Sequence, residues 1–168
     1  MSLLVAEHSL YVAMWHRRNT PPICERLIGF SVPKDDRILV VSYEGVHIIH
    51  LGPQIRIDTD NTFKEYDIYN PDSSFAQYDG QLYSVLGLHG GHPLHESPQE
   101  ESLFVDTESK RLSVLRNGET VYTTKYENFS GDWVAATFSP DGDFIVLGCP
   151  YDFDFIILER TQFTEKLT

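Results

Sequence analysis

Short apolar runs rich in Val, Ile, Tyr and Phe, each cut off by Gly, Asp, Asn or Pro, follow one another along almost the whole chain. Runs of this length, β-branched and aromatic, have the period and composition of strands. The runs predict strands over Leu10–Trp15, Leu27–Ser31, Arg37–Tyr43, Val46–Leu51, Ile55–Asp58, Phe75–Tyr78 and Gln81–Leu88. Further strands are expected over Ser102–Asp106, Leu112–Arg116, Thr120–Lys125, Trp133–Ser139, Asp143–Cys149 and Phe153–Glu159. Nearly every gap is turn-sized, as an antiparallel meander requires. Helix signals are weak. Glu7–Arg18 can be drawn as an amphipathic helix, but the aromatic and β-branched centre Leu10–Trp15 favours a strand. Pro93–Glu101, polar and carrying two prolines, reads as a loop with room for one helical turn after Pro98.

Within this rhythm a pattern repeats. Phe138-Ser139-Pro140-Asp141-Gly142 leads into Asp143–Gly148, and a further apolar run begins at Phe153. Pro140 presets the first turn position, Asp141-Gly142 allow the reversal, and Gly148 permits close approach at the strand end. Phe30-Ser31-Val32-Pro33-Lys34-Asp35-Asp36 repeats this grammar upstream, and a looser copy begins at Phe75. The intervals, 75 − 30 = 45 and 138 − 75 = 63 residues, compare with about 40–50 residues for a four-stranded blade. The longer interval holds the His/Pro/Glu-rich stretch as an insertion.

The segment Asp132–Glu159 resembles a WD40-type β-propeller repeat, with partial resemblance over Leu27–Leu51. The resemblance implies an all-β antiparallel meander of three to four propeller-like blades, and a turn-bracing role for Asp152. The chain departs from the family in having no Gly-His pair before a repeat, and Leu158-Glu159 stands where Trp-Asp is usual. A β-sandwich or barrel is the alternative architecture. At about 150 residues per domain, residues 1–168 make one domain. So few blades make either a compact four-bladed ring or an open arc, and an arc would leave strand edges and faces that seek a partner or a second copy.

Charge narrows the partners. Lys and Arg number 13 against 25 Asp and Glu, a formal charge of 13 − 25 = −12. Nucleic acid needs clustered cations, which the chain lacks beyond Arg17-Arg18 and Lys110-Arg111. An anionic membrane surface would be repelled, and no apolar run approaches the roughly 20 residues of a membrane span. The two cysteines, Cys24 and Cys149, cannot build a disulfide framework. With no basic leader before Glu7, a cytoplasmic protein with free thiols is expected, and Asn128-Phe129-Ser130 is read as a turn.

Candidate chemistry concentrates in His89-Gly90-Gly91-His92-Pro93-Leu94-His95-Glu96, whose imidazoles His89, His92 and His95 have the chemistry of zinc ligands. A flexible Gly/Pro loop would hold them poorly. His47 and His50, three apart on one strand, should face opposite ways, one buried with its ring hydrogen-bonded and one in water. Trp15 should anchor the core beside solvated His16, Arg17 and Arg18. Asp58-Thr59-Asp60-Asn61 starts like a calcium loop without its Gly and closing Glu. The resulting expectation is a non-enzymatic protein-interaction module. The alternatives are a small metal-dependent hydrolase using the His89/His92/His95 loop, or a carbohydrate-binding propeller.

Overall fold

The computed structural model describes residues 12–129, 131–151 and 155–163. They form strands β1 (Val12–Arg17), β2 (Leu27–Ser31), β3 (Arg37–Ser42), β4 (Gly45–Leu51) and β5 (Ile55–Asp60). A single-turn helix α1 (Glu65–Ile68) leads into β6 (Tyr69–Asn70), β7 (Phe75–Tyr78) and β8 (Gln81–Gly87). Then come β9 (Glu101–Asp106), β10 (Arg111–Arg116), β11 (Glu119–Lys125), β12 (Ala135–Phe138), β13 (Phe144–Gly148) and β14 (Ile156–Phe163). Every pairing is antiparallel, so the all-β reading holds. The strands observed match those expected to within a few residues. The exceptions are α1 and β6, which were not anticipated, and the residues after Pro98, which make a turn and no helix. Residues 10–11, Ser130 and 152–154, with the expected brace Asp152, lie outside the described residues. Among the described residues no helix is long and apolar enough to cross a membrane.

Turn chemistry explains much of this order. Asp35-Asp36 (φ 50° and 57°), Asp79-Gly80 (50° and 71°) and Asn117-Gly118 (52° and 78°) each place two left-handed residues between paired strands. Such turns twist with the strands they join, and Asp, Asn and Gly tolerate the conformation best. The Ser139–Gly142 turn works differently. Gly142 N–H donates to the Ser139 carbonyl at 2.9 Å, while the Asp141 carboxylate accepts Ser139 Oγ at 2.5 Å and Asp143 N–H at 3.0 Å.

The Phe-Ser repeat is real at two of its three copies. Ser31 Oγ accepts the Leu39 amide at 2.9 Å and Ser139 Oγ accepts the Phe144 amide at 3.0 Å. In both hairpins the serine lies opposite its donor, next to a phenylalanine that is fully buried. The Phe75 copy must be corrected. Phe75 opens the middle strand of β6–β8, on a solvent-facing position, and is 37% exposed. The looser match lacks the serine that sets the register.

Three sheets result, ordered β1-β14-β13-β12, β11-β10-β9 and β5-β4-β3-β2-β8-β7-β6, and none closes into a barrel. The longest folds over at the β2–β8 seam, where Gly29 faces Gly87. A Cβ on either would meet the other strand's backbone at 2.6 Å or less, so only glycine fits. Three apolar seams then bind four layers. Phe30, Ile38 and Val40 of β2–β3 meet Val146 and Ile157 of the β1/β12–β14 sheet. The other face of that sheet, with Phe138, Ile145 and Leu147, meets Leu112 and Val114 of β10. Leu39, Val41 and Val46 meet Tyr69, Ala76 and Tyr83 across the fold of the long sheet. Gly148 serves the first seam: a Cβ there would lie 2.7 Å from the Phe30 ring.

One buried ion pair crosses the second seam. Arg160 on β14 donates to Glu101 on β9 through both terminal nitrogens at 2.8 and 2.9 Å, the two side chains being 2% and 1% exposed. Arg160 also donates to the Gly142 carbonyl and stacks 4.4 Å from the centroid of Trp15, its cross-strand neighbour on β1. Arg116 adds a third contact to Glu101 from a more exposed position, at 3.0 Å. Removing one member of a buried pair strands the other. Glu101→Ala is therefore expected to lower stability by about 3–5 kcal/mol, whereas Arg116→Ala costs less than about 1 kcal/mol. Urea unfolding of the two variants measures the difference.

Candidate functional site

The three sequence-predicted imidazoles leave β8 on one connector and reach three different places. Just after β8, Gly87 and Gly90 exchange backbone hydrogen bonds of 3.0 Å, turning His89 outward. There His89 Nε2 shares a 3.1 Å hydrogen bond with the Tyr66 hydroxyl, and its ring lies 6.0 Å from both Tyr66 and Tyr69. Helix α1 presents Tyr66, and Asp67 Oδ2 holds its start by accepting the Lys64 amide at 2.8 Å. His92 lies 6.5 Å from the Phe75 ring. Tyr69 is paired with Ala76, the neighbour of Phe75, so Tyr69 and Phe75 point to opposite faces of β6–β8. His89 and His92 thus pack against opposite faces of one sheet.

His95 is farther along. Its carbonyl accepts the Leu103 amide at 2.8 Å, Glu96 bridges to Ser102, and Leu94 accepts the Phe138 amide at 2.8 Å. Leu94 N–H donates in turn to Thr137 Oγ1 at 2.9 Å. The connector expected to be a flexible loop is stitched to β12 and β9, covering backbone groups that would otherwise lie bare. All three imidazoles are exposed, and the structure does not gather them into one ligand set. Among the described residues no three His, Cys, Asp or Glu side chains come together in a way that could hold a metal ion.

A second constellation has the outline of nucleophilic chemistry. Ser42 Oγ and His47 Nε2 are 2.8 Å apart, and His47 Nδ1 is 3.0 Å from Thr59 Oγ1. That is the spacing of a nucleophile, its base and an orienting group. Ser42 is fully buried and His47 is 1% exposed. Ser42 Oγ also accepts the Glu44 amide at 3.1 Å and lies 3.3 Å from the Gly45 carbonyl. A substrate carbonyl has no approach to this oxygen, and the geometry braces the β3–β4 turn. His50, as expected, faces the other way, 2.8 Å from Asp58, which Arg56 also contacts at 2.8 Å. The hydrogen bond from His50 is the main reason the Asp58 carboxyl titrates below its ordinary value, and Arg56 adds to it. Asp58 is thus engaged in an ion cluster, away from any calcium-loop arrangement. Trp15 is buried in the second seam, while Arg18 bonds Glu159 at 2.6 Å and the Gly52 carbonyl at 2.5 Å.

Asp60 and Tyr78 form a further polar pair at 2.9 Å. Two hydrogen bonds from Thr62, followed by that from Tyr78, hold the Asp60 carboxyl below the usual carboxylate range. Burial and then the Asp60 hydrogen bond push the Tyr78 phenol up to about 12. The phenol keeps its proton throughout the neutral range and cannot act there as a general base.

Among the exposed apolar side chains, some stand on two outward sheet faces. Cross-strand register sets Phe75 beside Ser84, and Leu82 beside Gln77, on the outward side of β7–β8. On the outward side of β9–β11, Phe104, Ser113 and Thr123 stand in one row, and Ser102, Leu115 and Thr120 in the next. Leu82, Phe104 and Phe75 are 54%, 56% and 37% exposed. Neither face was singled out from sequence. Ser102-Leu103-Phe104-Val105 is apolar at three successive positions, which hides that Leu103 and Val105 turn inward and Phe104 outward.

Alkaline titration checks the Tyr78 environment. Between pH 10 and about 12 the folded chain holds a proton that the unfolded chain has released, so stability falls as pH rises through that window. Absorbance at 295 nm should show a late-titrating phenol that Tyr78→Phe removes, and the variant's urea midpoint should decline less over the same interval.

No family model, curated protein or solved structure matches this chain.

Proposed function

We propose that this chain is a non-enzymatic protein-interaction module, laid out as an open stack of four propeller-like blades: β2–β5, β6–β8, β9–β11, and β12–β14 with β1. The blade reading is supported by short antiparallel meanders that pack face to face, and by two hairpins with the same Phe-Ser pairing. It is further supported by β1 joining the sheet of β12–β14, which ties the two ends of the described chain together as a ring-like layout needs. Among the described residues the second and third blades in chain order share no apolar seam, which supports an arc open between β6–β8 and β9–β11.

The observation that carries the interaction reading is the exposure of Phe75, Leu82 and Phe104 on those two outward faces. Large apolar side chains clustered on regular, rigid strands give a partner area to bury at little entropic cost. Phe75→Ser/Leu82→Ser/Phe104→Ser strips both faces without touching a core position. Used as bait beside the wild type, this triple variant should lose a protein that the wild type retains, whether another chain or a second copy. Far-UV circular dichroism and the urea midpoint should stay unchanged. Recovery of the same proteins by both baits would overturn the reading.

A further inference from the structure

Three stretches far apart in the chain meet around one small cavity. Glu25 and Arg26 before β2, Tyr43 and Glu44 of the β3–β4 turn, and Tyr151 after β13 line a space of about 400 Å³. Separate bonds hold these stretches in place. Leu27 N–H donates to the Pro150 carbonyl at 2.6 Å, which ties the start of β2 to the residue before Tyr151. Glu25 N–H donates to Glu44 Oε1 at 3.3 Å. The turn is braced from beneath, where Ser42 Oγ accepts the Glu44 amide and is itself held by His47. A Cβ at Gly45 would lie 2.6 Å from the Asp60 carbonyl, so the turn has no room to shift there. The buried Ser42–His47–Thr59 constellation, closed to substrate, thus positions Tyr43 and Glu44 at the cavity.

A cation already sits at this place. The Arg26 guanidinium lies 5.7 Å from the centroid of the Tyr43 ring, whose negative face attracts it. Arg26 is half-exposed and its contact with Asp132 is long, 3.8 Å, so the guanidinium is weakly held and can leave. Tyr43 is 49% exposed, and Glu25 and Glu44 are exposed beside it. Among the described residues, the carboxylates of Glu25, Glu44 and Asp132 outnumber the one cation. A strongly hydrated inorganic ion gains little from phenol rings, whereas a weakly hydrated organic cation stacks on them.

We infer that this cavity binds an organic cation, a guanidinium or alkylammonium group, against Tyr43 and Tyr151. Glu25 and Glu44 balance its charge, and Arg26 is the displaceable internal occupant of the same ring. Small-molecule sites span about 300–1,000 Å³, and a space at the low end of that range holds such a group on a short stem. The site shares no residue with the faces of Phe75, Leu82 and Phe104. It therefore goes beyond the interaction reading, and the two stand or fall separately.

NMR of the whole chain with labelled tyrosine rings, titrated with tetramethylammonium and with methylguanidinium to about 50 mM, supplies the test. The Tyr43 and Tyr151 signals should shift saturably. Arg26→Gln should tighten binding by about threefold or more, because the internal guanidinium no longer competes for the ring. Tyr43→Leu, which keeps apolar bulk and removes the ring, should weaken binding read at Tyr151 by about threefold to tenfold. Glu44→Gln should weaken it as well, and the urea midpoints of all three variants should stay near that of the wild type. tert-Butanol, of similar shape and without charge, should leave the signals in place. An acetylated arginine amide that binds as well as methylguanidinium supports the site with the group carried on a polypeptide side chain, and its exclusion supports the site with a small solute as the source. Absence of a saturable shift in Arg26→Gln, an equal response to tert-butanol, or undiminished binding by Tyr43→Leu would each overturn the inference.

Discussion

The Arg160–Glu101 pair fixes how the β9–β11 sheet sits on the rest of the molecule. Apolar seams are tolerant of sliding, because Leu, Val and Ile surfaces pack comparably in several registers. A bidentate guanidinium–carboxylate contact has one good geometry. The cost of removing both charges from water is offset here by four features acting together. These are the two short hydrogen bonds, the Gly142 carbonyl, the Trp15 ring and the half-exposed Arg116. The pair also fixes the position of β9 at the end of the connector, and through it the place of Phe104 on the outward face.

Much of the strand architecture was legible because local signals agreed with one another. Asp79-Gly80 and Asn117-Gly118 mark hairpins through residues that accept left-handed backbone, and the β-branched runs around them supply the strands. The four-layer stacking was less legible, since it depends on which alternate residues face which layer. In β2 the register slips between Leu27 and Gly29, so Leu27 and Phe30 both serve the first seam while Ile28 serves the third. No periodicity in Leu27–Ser31 announces that slip. Phe75 misled for a related reason: an aromatic before a turn looks the same in sequence whether it ends an inner strand or opens a middle one.

The chemistry read from sequence was constrained by proximity along the chain, whereas the structure assembles its polar groups across it. His89, His92 and His95 are close in sequence and are taken apart by Gly90, Gly91 and Pro93, which turn the connector past β8 and onto β12. Tyr66 and His89 are 23 residues apart and touch. Glu101 was part of a polar, proline-containing stretch whose expected place was solvent, yet it is nearly inaccessible, because its partner lies 59 residues downstream. The opposite facing of His47 and His50 was legible, since strand alternation alone decides it. The identity of the buried one required knowing that Ser42 and Thr59 lie on the neighbouring strands.

An all-β stack can associate through its strand edges or its sheet faces, and several of the edges here are managed. The connector covers β12 and bridges to β9. Edge strand β5 carries exposed Arg56 and Asp58. In β11 the pairing skips Val121, which leaves Tyr122 opposite Val114 and Thr120 opposite Leu115. Such a bulge twists the edge and interrupts the alternation of outward amides that an incoming strand needs. The outward faces of β6–β8 and β9–β11 carry the exposed side chains of Phe75, Leu82 and Phe104, with His92 lying against the Phe75 ring. Charge placement follows the same division: Lys and Asp residues punctuate the turns and rims, and the centres of the two faces keep Phe, Leu, Ser and Thr.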